Sequence, residues 1–364
     1  MRLIRSFFNR YDPVIFLIVL SLLLWSVVNI YSATFHEYSI LYIKQAVYAF
    51  IGIVIILLLP SLDYRKILNT APYLYTIGLI LLISVIFFGT TILGAKRWLK
   101  LGFFMIQPSE IMKFIIIITV AYILENSKKV SFSEGVKILV ISAVPFILIM
   151  KQPDLGTAIT LLIPVVTILF LANLNKKYII ATVSIIIMSS PFIWEHLKEY
   201  QKKRILAFLN PEADPFGTAY HILQSKIAIG SGYIFGKGYL QGTQSKLFFL
   251  PEQHTDFIFA TIGEEWGFIA SFIILSAYLI LGLRILYLGS KIKHHGGKYV
   301  CYGSGGLITI QAFINIAMTV GLAPVVGITL PFLSYGGSSV VTFSLIIGTV
   351  LSIVYTHKKE KLHF

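Results

Sequence analysis

The run PVIFLIVLSLLLWSVVNIYSA (residues 13–33) contains no charged side chain. An α-helix needs about 20 mostly apolar residues to cross the hydrocarbon core of a bilayer, and this run has that length. The basic residues Arg2, Arg5 and Arg10 precede it, as they would in a signal peptide. Because no convincing small-residue cleavage site follows, the pattern predicts an uncleaved first membrane helix.

Nine further apolar runs follow along the chain. Of the 364 residues, 57% are hydrophobic and 13% are charged, and the mean hydropathy is +0.83. A soluble domain carries about 25% charged residues, so a soluble enzyme, a disulfide scaffold and a disordered chain are excluded. The sequence predicts an all-α polytopic membrane protein of ten transmembrane helices in one domain, residues 1–364. The predicted spans are residues 13–33, 41–60, 71–89, 108–125, 135–150, 155–174, 177–196, 255–289, 300–322 and 331–356.

Lys and Arg residues are unevenly distributed between the predicted loops. If the N-terminus is cytoplasmic, the cytoplasmic segments hold fifteen of them and the short outer loops hold four. Basic residues collect in cytoplasmic loops, so the sequence predicts that both termini lie in the cytoplasm. The same bias accounts for the net charge of +14, and no nucleic-acid partner is expected. The single cysteine, Cys301, excludes an internal disulfide.

Two predicted outer segments are too large to be simple connections. Residues 90–107 mix basic side chains with Trp98 and other apolar residues, which is typical of an amphipathic element at the membrane interface. Residues 197–254, between the seventh and eighth spans, form a long segment with enough apolar residues to predict a large, partly helical loop. The eighth span, as one continuous helix over 255–289, would be ~52 Å long and would project beyond the ~30 Å core. We therefore expect the chemistry on the outer face.

Charged residues at the edges of spans are the first functional candidates, because a charge inside the bilayer costs several kcal/mol. Glu110 and Lys113 lie three residues apart at the start of the fourth span, hence on one helical face. The alternative interpretation is an ion pair that only neutralises itself.

Two aspartates at the starts of predicted spans are the next candidates. Asp154 opens the sixth span and Asp256 opens the eighth, behind Glu252 and His254. For both, the alternative role is to cap the helix N-terminus. Asp256 and Glu264 also lie at helical spacing, which predicts an acidic stripe facing the bundle. Gly263 and Gly267 form a pair of small residues that would let another helix approach closely.

Seven stretches of the chain, in order, resemble the SEDS family (shape, elongation, division and sporulation proteins). They are GAKRWLKLG (94–102), QPSEIMKF (107–114), KQPDLGTA (151–158), RILAFLNPEADPFGTAYHILQSKIAIGSG (204–232), GKGYLQGTQS (236–245), LPEQHTDFIFATIGEE (250–265) and LPFLSYGGSS (330–339). The sequence of residues 236–245 is more similar to the elongation (rod-shape) branch than to the division branch.

The resemblance implies a peptidoglycan glycosyltransferase of the bacterial plasma (inner) membrane, which polymerises lipid II on the outer leaflet during cell elongation. It also implies a class B penicillin-binding protein as partner, within the elongation machinery, and undecaprenyl-pyrophosphate-linked glycan as the growing chain. By motif position, the essential aspartate of the family corresponds to Asp256, and its functional glutamate and lysine correspond to Glu110 and Lys113. Trp98 matches the tryptophan of the outer loop, and Asp154 lies in a stretch with a supporting role.

Glycan extension needs a base on the acceptor hydroxyl and positive charge at the departing pyrophosphate. Asp256 is the candidate base. Arg97, Lys100 and Lys113 are candidate clamps, and a divalent cation (Mg²⁺ or Mn²⁺) held by acids is the alternative. Glu110 would orient Lys113 or share that cation. No organic cofactor is expected.

Three other functions remain open on the sequence: a lipid II flippase, a non-catalytic scaffold for a partner synthase, and a division-type SEDS polymerase. Transporter sites lie near the bilayer midplane, whereas these acids gather at one interface, which favours chemistry over transport.

Overall fold

The computed structural model describes most of the chain. Described are residues 10–35, 40–92, 94–102, 104–127, 130–175, 199–210, 219–247, 249–250 and 252–362, with isolated positions between 177 and 197. The predicted span over 177–196 therefore lies largely outside the described residues, and the total of ten spans stays a prediction.

The first half of the chain alternates long apolar helices with short connections. Its helices are α1 (Pro13–Thr34), α2 (Leu41–Leu58, continued by a 3₁₀ turn, Leu59–Ser61), α3 (Tyr64–Asn69), α4 (Ala71–Phe88), α5 (Pro108–Ile123), α6 (Phe132–Lys151) and α7 (Leu155–Leu171). Prolines stand in the first turns of α1, α4 and α5, where a missing N–H leaves no hydrogen bond unmade. Apart from the short α3, which matches no predicted span, these helices begin within three residues of the predicted starts.

The second half holds the loop helices and three long helices. These are α8 (Glu199–Leu209), α9 (Tyr220–Ser231), α10 (Thr243–Lys246), α11 (Ile258–Lys291), α12 (His295–Thr319) and α13 (Gly337–Leu362). The predicted partly helical loop is thus helical at α8, α9 and α10. The last two spans are displaced from their predicted starts, because His294 caps α12 early and residues 331–336 form turns before α13.

Among the described helices, seven are long and apolar enough to cross a membrane, and α7 is a shorter apolar helix. Helices α12 and α13 are largely buried, whereas few residues of α4 and α6 are buried and many of their large apolar side chains are exposed, as in lipid-facing helices. Helices α11 and α12 pack closely at Gly282, whose position leaves no room for a Cβ beside the Thr309 side chain and the Gly305 carbonyl. The chain is a multi-pass helical membrane protein.

The segment predicted as an amphipathic interfacial element is a small antiparallel sheet, which is an addition to the all-α class. Strands β1 (Thr90–Ile92), β2 (Ala95–Leu101) and β3 (Phe104–Ile106) pair in the order β1-β2-β3. Gly94 and Gly102 have φ angles of +75° and +61° at the two turns, a conformation that glycine adopts without strain. The sheet connects α4 to α5 and carries the basic residues of this segment.

The prediction of one continuous helix through residues 255–289 is wrong. Helix α11 begins at Ile258, and Gly267 has φ 72° and ψ −164°, which breaks the helical geometry within it. The carbonyls of Tyr233 and Ile234 accept hydrogen bonds from the N–H groups of Phe268 and Ile269, at 2.9 and 3.3 Å. The break therefore survives because the loop after α9 satisfies the backbone donors that the helix leaves free.

Candidate active site

Helix α5 positions the buried pair of Glu110 and Lys113 in its first two turns. Lys113 Nζ donates a hydrogen bond of 2.7 Å to Glu110 Oε1, and both side chains are buried. Lys113 Nζ also donates to Gln311 Oε1 at 3.1 Å and lies 5.3 Å from the centre of the Phe343 ring. The predicted ion pair is present. It does more than neutralise two charges, because Lys113 also donates a hydrogen bond to the Gln311 amide of α12.

Helix α12 presents two buried amides one turn apart, Gln311 and Asn315. Gln311 Nε2 donates to the carbonyl of Thr329 at 2.9 Å. Asn315 Nδ2 donates to the carbonyls of Ile328 at 2.6 Å and of Asp256 at 2.9 Å. The two amides therefore connect the α5 ion pair to the backbone that carries Asp256.

Asp256 lies in the turns of residues 252–257, directly before α11. Phe257 is the N-cap residue of α11 and supplies no side-chain capping bond, and Thr255 Oγ1 bonds to Glu252 instead. The capping alternative for Asp256 is thus excluded. Its carboxylate lies over Gly327, at van der Waals distance from where a side chain would begin.

Four charged residues act on the Asp256 carboxyl group: Glu252 of the same turns, and Asp154, Arg204 and Arg97 from three other segments. Burial among protein atoms raises the pKa of Asp256 to about 7, Glu252 and Asp154 raise it further, and Arg204 and Arg97 oppose the rise. Near neutral pH the group is thus divided between its acid and its base form. A carboxyl group with this pKa can accept a proton from a hydroxyl group and release it again.

Asp154 performs the capping role that was its alternative interpretation. Its carboxylate accepts hydrogen bonds from the Thr157 N–H at 3.1 Å and Oγ1 at 2.9 Å, at the start of α7. It also accepts from Gln107 Nε2 at 3.0 Å, and Arg97 Nη1 lies 3.8 Å away. Asp154 is buried and occupied by these contacts, so its predicted contact with substrate stays a prediction, while its position favours support of Arg97.

The three residues of strand β2 that are predicted to contact substrate do not share one face of the strand. Arg97 faces α7, where it also donates to the carbonyl of Pro153. Trp98 and Lys100 alternate with Arg97 along the strand and project from the opposite face; Trp98 is half-buried and Lys100 is exposed. In the described part of the chain, no contact brings Trp98 or Lys100 to the acids, so their binding roles stay predictions.

Glu264, the second member of the predicted acidic stripe, is bound by residues of the loop before α11. Its carboxylate accepts hydrogen bonds from Lys237 Nζ and from the N–H groups of Thr243 and Gln244, at 2.7 to 2.9 Å. It therefore caps the short helix α10 from another element. Gly263, one residue before, leaves room for Ile229 of α9, which confirms the predicted helix approach for Gly263, whereas Gly267 lies against the loop after α9 instead.

Four residues near the site were not singled out from the sequence: Gln107, Arg204, Gln311 and Asn315. Arg204, on α8, influences the Asp256 carboxyl group and also lowers the pKa of His221, where burial is the larger cause. The signal for Gln311 and Asn315 was available, because two amides four residues apart in an apolar helix need hydrogen-bond partners inside the protein.

A model of the cell cycle protein family that comprises FtsW, RodA and SpoVE matches residues 12–359. This chain belongs to the SEDS family. The peptidoglycan glycosyltransferase MrdB of Escherichia coli K12 is 40% identical to this SEDS protein over 350 residues, which cover 96% of this chain and 94% of MrdB. A probable peptidoglycan glycosyltransferase FtsW of Geobacter metallireducens is 36% identical over 361 residues, covering 95% of each chain.

Two solved structures share the fold of this SEDS protein. One comes from a study of the structural coordination of polymerization and crosslinking by a peptidoglycan synthase complex. It has a TM-score of 0.82 and 28% identity, covering 96% of this chain and 98% of that one. The rod shape determining protein RodA of Thermus thermophilus has a TM-score of 0.71 and 26% identity, covering 95% and 97%.

Proposed function

We propose that this SEDS protein is a peptidoglycan glycosyltransferase that polymerises lipid II into glycan strands for cell elongation. The observation that carries the proposal is the Asp256 carboxyl group, which caps no helix and has a pKa raised to about 7. Arg97 and Arg204 act on its charge, and hydrogen bonds through α12 connect its backbone to the Glu110–Lys113 pair. The relatives named as peptidoglycan glycosyltransferases support the same activity.

Asp256 acts as the general base in this proposal. The 4-hydroxyl oxygen of the acceptor lipid II attacks the anomeric carbon of the growing strand and forms the new C–O bond. The hydroxyl proton passes to the Asp256 carboxylate, and the bond from the anomeric carbon to the lipid pyrophosphate breaks with its electron pair on the pyrophosphate. Attack from the face opposite the leaving group inverts that carbon.

The pyrophosphate needs compensating positive charge as it departs. Arg97 and Arg204 are close enough to oppose the rise in the Asp256 pKa. A guanidinium group can donate two parallel hydrogen bonds to the oxygens of one phosphate group. Lys113 lies deeper, held by Glu110 and Gln311. We assign the arginines to the pyrophosphate and the buried pair to the electrostatic environment of the site.

A divalent cation, Mg²⁺ or Mn²⁺, is compatible with this site. Among the described residues, no group of three or more His, Cys, Asp or Glu side chains is arranged to hold a metal ion alone. Mg²⁺ is usually held by one or two carboxylates together with substrate phosphates, and Glu252 is near enough to raise the pKa of Asp256. These two residues fit a cation that arrives with the pyrophosphate, where it would neutralise negative charge.

The proposal includes a class B penicillin-binding protein as partner, within the elongation machinery. The related structure comes from a peptidoglycan synthase complex that coordinates polymerization and crosslinking, which supports a partner that cross-links strands. The distribution of basic residues supports a cytoplasmic position for both termini, which puts the Asp256 site at the outer leaflet.

A leaflet-resolved assay separates the proposed activity from lipid II transport. The purified full-length chain, with its partner, is reconstituted in vesicles with labelled lipid II, and glycan length and leaflet distribution are measured in parallel. We expect glycan strands without faster lipid exchange between leaflets. Faster exchange without glycan strands would establish a flippase instead.

A further inference from the structure

Two buried amides of α12 contact the site residues, but the chemistry proposed above gives these amides no role. Gln311 and Asn315 are fully buried, and they lie four residues apart on one face of α12. A buried amide without partners would destabilise the protein, so the groups that they bind are chosen by the fold.

Their partners converge on one short stretch of backbone, residues 327–329, which we call the platform. Residues 324–330 have no regular secondary structure, so the platform carbonyls are not used by a helix or a sheet. Gln311 binds the carbonyl of Thr329 and Asn315 binds the carbonyl of Ile328. The remaining platform residue, Gly327, lies under the Asp256 carboxylate.

Each amide also makes a second hydrogen bond, to one of the site residues. Gln311 Oε1 accepts from Lys113 Nζ at 3.1 Å. The second hydrogen of Asn315 Nδ2 goes to the carbonyl of Asp256 at 2.9 Å. Because that carbonyl is attached to the same Cα as the side chain, fixing its oxygen restricts where the carboxylate can point.

We propose that Gln311 and Asn315 are positioning residues that hold the Asp256 carboxylate and the Lys113–Glu110 pair in one geometry through the platform. This inference rests on the proposed function. Neither amide touches the reacting atoms, so its loss acts through Asp256 and changes turnover more than substrate affinity.

The test compares Asn315→Ala and Gln311→Met with a control on the same helix. Thr319→Val removes another fully buried polar group of α12, whose hydroxyl donates within its own helix to the carbonyl of Ile316. The full-length proteins, with their partner, are assayed for lipid II polymerisation, and thermal unfolding is followed in the same preparations. We expect Asn315→Ala to lower kcat roughly 30-fold or more with KM within about threefold, and Thr319→Val to keep wild-type kcat.

A double variant separates positioning from general damage to the fold. If Asn315 acts through Asp256, adding Asn315→Ala to Asp256→Asn lowers the residual rate no further. Equal fractional losses in both backgrounds would overturn the proposal, and so would a folded Asn315→Ala protein with wild-type kcat. If Asn315→Ala does not fold, Asn315→Ser, which keeps one donor, decides by the same criteria.

Failure of this inference is distinguishable from failure of the proposed function. In the first case the wild type polymerises lipid II and Asp256→Asn does not, while Asn315→Ala resembles the wild type. In the second case the wild type itself makes no glycan, or Asp256→Asn is as active as the wild type.

Discussion

At the scale of single residues, Asp256 differs from an ordinary carboxylate in its environment. Burial comes first among the causes that raise its pKa to about 7, and the neighbouring carboxylates of Glu252 and Asp154 add to it. A general base must be deprotonated to act. Because the pKa of Asp256 is raised, its carboxyl group loses its proton near neutral pH instead of in acid. The consequence is a pH dependence in the physiological range.

The rate of lipid II polymerisation by the wild-type protein should therefore rise by about tenfold between pH 6 and pH 8, since the base is roughly one tenth ionised at the lower value. An aspartate with an ordinary pKa near 4 would already be ionised at both values. The exposed-carboxylate variant Glu199→Gln should follow the wild-type curve. A rate that does not change between pH 6 and pH 8 would remove Asp256 from the role of base.

The Glu110–Lys113 pair predicts an asymmetry in folding stability. Lys113→Met alone leaves the Glu110 carboxylate buried without its cation, and breaking such a pair costs about 3–5 kcal/mol. The double variant Glu110→Gln/Lys113→Met removes both charges and should unfold at a higher temperature than the single variant. Thermal unfolding in detergent measures this, and a single variant as stable as the double would contradict the interpretation.

At the scale of elements, the break in α11 depends on Gly267. Its φ angle of 72° strains any other residue, and an added Cβ would collide with the backbone nitrogen of Gly236. Gly267→Ala should therefore detach the loop after α9 from α11 and lower the unfolding temperature. Gly230→Ala is the matched control, because Gly230 lies in α9 with open space at its Cβ position. Equal unfolding temperatures for the two variants would contradict this account of the break.

Strand β2 makes a second prediction about an element. Arg97 faces α7 and the Asp256 site, whereas Lys100 projects from the other face and is exposed. Arg97→Ala should raise KM for lipid II by roughly 10-fold or more, the effect of losing a hydrogen bond to a charged group. Lys100→Ala should change KM less. Steady-state kinetics of both variants decide, and a larger effect at Lys100 than at Arg97 would contradict the assignment of Arg97 to the pyrophosphate.

At the scale of the whole molecule, the bundle was largely predictable because apolar length is a direct signal for membrane helices. The sheet of residues 90–106 was not foreseen, since its strands are short and its turns depend on the φ angles of Gly94 and Gly102. The break at Gly267 was missed for a similar reason. A glycine inside an apolar run is compatible with a continuous helix. The helix breaks there only because a loop distant in sequence accepts hydrogen bonds from the backbone N–H groups that follow the glycine.

The candidate site could likewise be predicted only in part. Glu110, Lys113 and Asp256 could be selected from the sequence, because charges at the edges of apolar runs are conspicuous. How they are connected could not be predicted, since Gln311 and Asn315 bind backbone carbonyls of a stretch without regular structure. Such partners depend on the packing of α5, α11 and α12 together.

The central claim is that this chain itself polymerises lipid II and that the Asp256 carboxylate is the base. The most direct test is polymerisation by the purified full-length protein with its partner, comparing wild type, Asp256→Asn and the control Glu199→Gln. This mechanism predicts a loss of about 10²–10⁴-fold for Asp256→Asn and wild-type rates for Glu199→Gln. A folded Asp256→Asn protein that makes glycan strands at the wild-type rate would contradict it.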